Sequence, residues 1–109
     1  MCVHELVPSE LDLTSTESLK NVSIDDGDVL EALGSATARR VLYALRETPA
    51  VKSEIATRAD ISIQVASYHL DRLESAGLVG IVGTTYSEKG REMDVYAMAT
   101  DSIVVELCS

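Results

Sequence analysis

The stretch Ser62-Ile-Gln-Val-Ala-Ser-Tyr-His-Leu-Asp-Arg-Leu-Glu-Ser-Ala-Gly-Leu-Val79 decides how the rest of the chain is organised. Ser62 is an N-cap residue type, whose hydroxyl can accept one of the unpaired N–H groups that open a helix. Gly77 stands where a helix ends in a left-handed residue. Between them, Ala66, Leu70 and Leu73 recur at i, i+4, i+7, which predicts one buried stripe along a helix of about four turns. The other side carries Ile63, Gln64, Ser67, Tyr68 and Asp71, with Arg72 beside it. These side chains are mostly short or polar and include no lysine. Such a face suits base edges in a major groove as well as it suits water.

The flanking segments choose between those environments. Upstream, Lys52–Ala59 has the pattern of a helix of about two turns, with Ile55 and Ala59 inward. Asp60-Ile61 then leads into Ser62, and Asp is among the few non-glycine residues that tolerate a positive φ. Two helices joined by so short a turn form a helix-turn-helix. Downstream, two β-rich runs, Leu78–Thr84 and Met93–Ala99, are separated by the polar loop Thr85–Glu92. That predicts a hairpin attached to the second helix, a wing. The order helix, turn, helix, hairpin is far more specific than any of its parts.

Several short runs carry a family likeness. They are Leu33-Gly34-Ser35, Ala38-Arg39-Arg40-Val41-Leu42, Glu54-Ile55-Ala56, Ser67 through Glu74, Ala76-Gly77-Leu78-Val79, and Gly90-Arg91-Glu92 ahead of Val95-Tyr96. With them, residues 28–99 resemble the ArsR-like class of prokaryotic winged helix-turn-helix transcription regulators. Gly90–Leu107 and the acidic composition are similar to the small regulators of this class in haloarchaea. The resemblance implies an α+β fold of four helices plus a β-hairpin wing. It also implies a homodimer that places two recognition helices in successive major grooves of double-stranded DNA. In many such proteins cysteines at the start of the first helix of the motif bind metal. The matching positions here are Val51 and Ser53, so that site is absent.

The chain of 109 residues is long enough for one domain with a modest core. That core must be aliphatic: there is no Phe or Trp, and the aromatics are Tyr43, Tyr68, Tyr86 and Tyr96. No apolar run has the length of a membrane span, and the start lacks the features of a signal peptide. Cys2 and Cys108 sit at opposite ends; they give no disulfide framework, and a reducing cytoplasm is the expected setting. An inter-subunit metal site from Cys2, His4 and Cys108 is conceivable chemically. Terminal cysteines without a neighbouring ligand pair are more often incidental, so no metal or cofactor is expected. No phosphate-binding glycine loop, HExxH or nucleophile elbow is present, and no enzyme is expected.

The net charge of −9 is unevenly spread. Residues 1–34 hold eight acids and one base, and residues 35–100 hold eight of each. The helix-turn-helix and wing are therefore neutral, without the basic footprint usual in DNA binders. Either the partner is not DNA, or the protein works in salt high enough to screen phosphate attraction, with cations such as K⁺ at its acidic surface.

In chain order, residues 1–27 form an acidic arm, partly extended or disordered and interrupted by Pro8. A short helix Asp26–Leu33 ends at Gly34, and Ser35 caps a longer one, Ala36–Glu47, stopped by Thr48-Pro49. The winged domain occupies 28–99, and one face of its hairpin is expected to close the core. His69 is expected to be partly buried and hydrogen-bonded beside the Leu70 stripe. Residues 100–109 form an apolar dimerisation segment, either a third strand or a short helix, with the strand favoured by Ile103, Val104 and Val105. The DNA-contacting residues are expected to be Ser62, Ile63, Gln64, Ser67, Tyr68 and Arg72 of the recognition helix 62–76, with Lys52, and Tyr86, Lys89 and Arg91 of the wing 85–92. The competing reading is a winged helix that docks a protein partner through its acidic or apolar surface.

Overall fold

The computed structural model describes residues 18–108. In order they form β1 (Leu19–Ser23), α1 (Gly27–Gly34), α2 (Ala36–Ala44), β2 (Ala50–Val51), α3 (Lys52–Ala59), α4 (Ile63–Ser75), β3 (Val79–Tyr86), β4 (Glu92–Met98) and β5 (Ser102–Glu106). The chain divides into two compact units. One comprises Asp28–Ala99, and the other the segments on either side of it.

In the larger unit the core is aliphatic. Val29, Val41, Ile55, Leu70 and Leu73 are its largest fully buried side chains. The helices end where local chemistry stops them. Ser35 Oγ accepts from the N–H of Ala38 at 3.1 Å to open α2, and Ser62 Oγ accepts from Val65 at 3.1 Å to open α4. At the start of α3 no hydroxyl is available, and Glu54 Oε1 accepts from the N–H of Val51 instead, at 3.3 Å.

Helices α3 and α4 close the same way. After α4, Gly77 turns left-handed at φ 79°, Leu78 N–H reaches Leu73 O, and Gly77 N–H reaches Glu74 O. After α3, Asp60 turns left-handed at φ 59° and ψ 51°, Ile61 N–H reaches Ala56 O, and Asp60 N–H reaches Thr57 O. Both are Schellman closures, the first on glycine and the second on aspartate. The second sets the turn between the two helices.

Three arginines complete the helix ends. Arg39 Nη1 donates to Leu33 O of α1 at 2.6 Å, and Arg58 Nη1 to Ala44 O of α2 at 3.0 Å. Arg40 Nη2 donates to Ala59 O of α3 and, at 3.2 Å, to Asp60 O. Each cation sits at the negative end of a helix dipole and satisfies a carbonyl the helix leaves unpaired.

The wing sheet has the order β2-β4-β3, all antiparallel. Its register slips between Ile81 and Gly83, a bulge at Val82. Leu78, Val79 and Tyr96 are buried at its base, whereas every residue from Ile81 to Tyr86 is exposed. The expectation that one whole face of the hairpin closes the core is thus corrected: only the base does.

Other boundaries also shift. Helix α2 stops at Ala44, not Glu47, because Leu45 and Arg46 donate three residues back, to Leu42 and Tyr43, tightening the last turn. The wing loop shrinks to five residues, 87–91, because both strands run further than their β-rich cores. Within the expected acidic arm, Leu19–Ser23 is a strand; the remainder of that arm, 1–17, lies outside the described residues.

The smaller unit pairs β1 with β5 in parallel, from Leu19 opposite Ser102 to Ser23 opposite Glu106. Ile24 N–H extends the ladder to Glu106 O at 3.0 Å. The C-terminal segment is a strand, as favoured, but its partner is β1. The third strand of the wing sheet is β2. Cys108 is disulfide-bonded, which corrects the expectation of two cysteines outside any disulfide; Cys2 and His4 lie outside the described residues.

Candidate nucleic-acid interface

The stripe Ala66, Leu70, Leu73 of α4 has 0% exposure, so the helix cannot rotate about its axis without uncovering its buried face. That fixes which residues form its crest: Gln64, Tyr68, Asp71 and Ser75, all exposed and three or four residues apart. Ser67 lies on the flank toward α3, where Lys52 Nζ donates to Ser67 Oγ at 3.0 Å. Arg72 lies on the flank toward α1. Its Nη1 donates to Tyr68 Oη at 2.9 Å, and its Nη2 is 3.6 Å from Glu31 Oε1. The bond to Tyr68 and then the charges of Glu31 and Asp28 push the guanidinium pKa above its ordinary value.

His69 is half-buried. Burial and the nearby Arg72 charge lower its pKa from the ordinary value. Its ring meets the Tyr68 ring edge-on at 5.0 Å and 81°. No hydrogen bond to its side chain exists among the described residues, contrary to expectation; the neighbouring Arg72 donates to Tyr68 and faces Glu31 instead.

At the wing tip the backbone is organised by Ser87. Its N–H donates to Arg91 O at 2.9 Å, its carbonyl accepts from Gly90 at 2.8 Å, and its Oγ accepts from Lys89 and Arg91 N–H groups. The side chains of Lys89 and Arg91 make no hydrogen bond or ion pair among the described residues, and Tyr86 is 66% exposed. A pocket of about 410 Å³ opens between this wing and the helices, lined among others by Val51, Lys52, Ile63, Arg91, Met93 and Tyr96. Burial, then Asp94, Glu74 and Asp71, raise the pKa of Tyr96 above its ordinary value.

All the expected contact residues but Arg72 therefore fall into three groups. Ser62, Ile63, Gln64 and Tyr68 surround the exposed first turns of α4; Lys52 and Ser67 are bonded to each other; Lys89, Arg91 and Tyr86 project from the wing. Arg72 is on the surface but engaged. Reading the sequence missed Glu31 as the partner that holds Arg72, and Ser75 as part of the crest. It also missed Ser87 as the organiser of the loop, although Ser-x-x-Gly is a turn pattern. Among the described residues no group of three or more His, Cys, Asp or Glu side chains could hold a metal ion, and no helix is long and apolar enough to cross a membrane.

Residues 33–82 match the family described as helix-turn-helix domain. No curated protein matches the chain. Among solved structures, one similar to it is the homodimeric winged helix-turn-helix DNA-binding domain of a possible ArsR-family regulator from Mycobacterium bovis. That pair is 20% identical over 85% of this chain and 72% of the other, with a TM-score of 0.55. An ArsR family transcriptional regulator, RHA00566, is 29% identical over 66% and 72%, with a TM-score of 0.51. HlyU from Vibrio cholerae is 19% identical over 85% and 83%, with a TM-score of 0.53. Residues 33–82 thus match a helix-turn-helix domain, and the chain has the α+β winged helix-turn-helix fold that these solved structures share.

Proposed function

We propose that this protein is a sequence-specific DNA-binding transcription regulator acting as a homodimer. The recognition helix enters the major groove, and the wing tip rests on the backbone or in the minor groove. The observation that carries this reading is the fixed, exposed crest of α4 beside a cleft whose other wall is a wing with two cations, Lys89 and Arg91, that have no side-chain partner among the described residues. The names of the neighbouring structures support it: one is a homodimeric DNA-binding domain and another an ArsR family regulator. Residues 28–99 act as the DNA-binding domain, and residues 1–27 with 100–109 supply the dimer contact. Leu19, Ile24, Val104 and Leu107, each exposed in the isolated chain, are apolar surface available for it among the described residues.

The acidic balance fits a cytoplasm of high salt, as in haloarchaea, with K⁺ held at the acidic surface. Screening at molar salt removes most of the self-repulsion of nine excess acids. The melting temperature should therefore rise between roughly 0.1 and 2 M KCl; a fall would remove the halophilic reading.

A second reading, a winged helix that docks a protein, draws on Ile81 and Val82, 45% and 63% exposed on the wing. Retrieval of genomic fragments by the intact chain, followed by Gln64→Ala, separates the two. Under the DNA reading the variant folds normally and loses about 1–3 kcal/mol of specific binding. If no fragment is enriched, or Gln64→Ala binds the retrieved fragment as wild type does, the recognition helix is not the reader.

A further inference from the structure

Which bases can this helix read? The question rests on the DNA-binding reading above. Helix-turn-helix proteins touch base edges with the N-terminal residues of the recognition helix. The side chains exposed there are Ile63 (52%), Gln64, Val65 (39%) and Tyr68 (55%). None is a cation. The commonest specific contact to guanine is an Arg or Lys donating to O6 and N7, and the two cations beside this face are already engaged. Lys52 donates to Ser67, and Arg72 donates to Tyr68 and faces Glu31. Either would have to give up partners on its own chain before reaching a guanine.

What remains is one amide, two aliphatic side chains and the ring of Tyr68, whose hydroxyl is held by Arg72. A glutamine amide matches adenine, accepting from N6 and donating to N7, and the apolar feature of the major groove is the thymine 5-methyl group. Asp71, one turn further along the crest, is an acceptor only. It repels the acceptors O6 and N7 of guanine and can be satisfied by adenine N6 or cytosine N4. The wing adds an independent indication. Its cations Lys89 and Arg91, without a side-chain partner among the described residues, are of the kind drawn into the narrow minor groove of A-tracts.

We infer that the recognition helix reads A·T pairs, with Gln64 on adenine and Ile63, Val65 and Tyr68 packed against thymine methyl groups. The half-site then contains thymines whose methyl groups, and not only their hydrogen-bonding edges, are required.

The test uses the full chain and a pool of random-sequence duplexes. Bound duplexes are sequenced, and the enriched one is rebuilt with deoxyuridine replacing one thymine at a time. That replacement removes one methyl group and leaves every hydrogen-bonding group in place. The expected result is A·T pairs at the positions protected in the major groove, and about fourfold weaker binding for each methyl removed from a thymine that the helix touches. Ile63→Ala and Tyr68→Ala should each abolish the uracil penalty at one thymine and leave it at the others, a pattern that general unfolding does not produce. The uracil series needs only the unaltered chain, so it decides the matter even where a variant is unstable. G·C pairs at the protected positions, or uracil duplexes bound as tightly as thymine ones, overturn this inference and leave the DNA-binding reading intact. A pool from which nothing is enriched overturns both.

Discussion

In the helical body, the Arg39, Arg40 and Arg58 side chains each donate to a carbonyl near the end of a helix; at the wing tip, the side chains of Lys89 and Arg91 donate to nothing among the described residues. The same charges do opposite work in the two regions. In the body they neutralise helix ends and so belong to the fold, while on the wing they remain available to an anion. Counting bases along the chain therefore misjudges the surface. The domain is neutral by arithmetic, but several of its cations are engaged within the protein. The apolar residues divide in the same way. Leu70 has 0% exposure in the body, and Val82, twelve residues on, has 63% on the wing.

The largest effect expected from this contrast is on stability. Leu70→Ala should cost about 2–5 kcal/mol by leaving a cavity in a close-packed site, whereas Val82→Ala should stay within about 0.5 kcal/mol. Chemical denaturation of both variants measures this, and a comparable destabilisation at Val82 would show that the wing is packed against something in solution.

Next in size is the arginine contrast. Arg40→Ala should lower stability by about 1–2 kcal/mol, since the carbonyls of Ala59 and Asp60 at the end of α3 lose their donor. Arg91→Ala should leave stability unchanged and instead flatten the log–log dependence of DNA affinity on salt, by about 1 for each phosphate that the arginine neutralises. An Arg91→Ala chain that melts early, or a slope that does not move, would merge the two classes of cation.

The smallest effect concerns His69. Its folded pKa lies below the ordinary value, so on acidification the unfolded chain takes up a proton before the folded one does. Stability is full at neutral pH and declines as pH falls through about 6.5, the ordinary histidine value. His69→Gln should shallow that decline in a pH series of melting curves. An unchanged profile would assign it to the carboxylates.

Much of the body was legible because its signals are local. The bounds of α3 coincide with the predicted Lys52–Ala59, Ser62 caps α4, and Asp60 and Gly77 adopt the left-handed turns expected of them. Each depends on a few neighbouring residues. The features that escaped are those whose partner is far along the chain. The two residues of β2 are too few to show a period, and nothing near Leu19–Ser23 announces a strand that pairs with Ser102–Glu106. In the site, Gln64 and Tyr68 could be placed on the crest from helical spacing alone. The engagement of Arg72 could not, because Glu31 comes from a different helix.

The pairing of β1 with β5 also orders events in time. Ser18 bonds to Asp101, 83 residues later, and a chain made from its N-terminus releases β1 long before its partner exists. Parallel contacts across such a separation are slow to form. The winged unit between them contains only contacts available earlier, and it can be complete while β1 still has an unpaired edge. During that interval the strand Leu19–Ser23 is open to any other strand that passes. Synthesis rate through residues 24–101 thus becomes a variable in the folding of this protein.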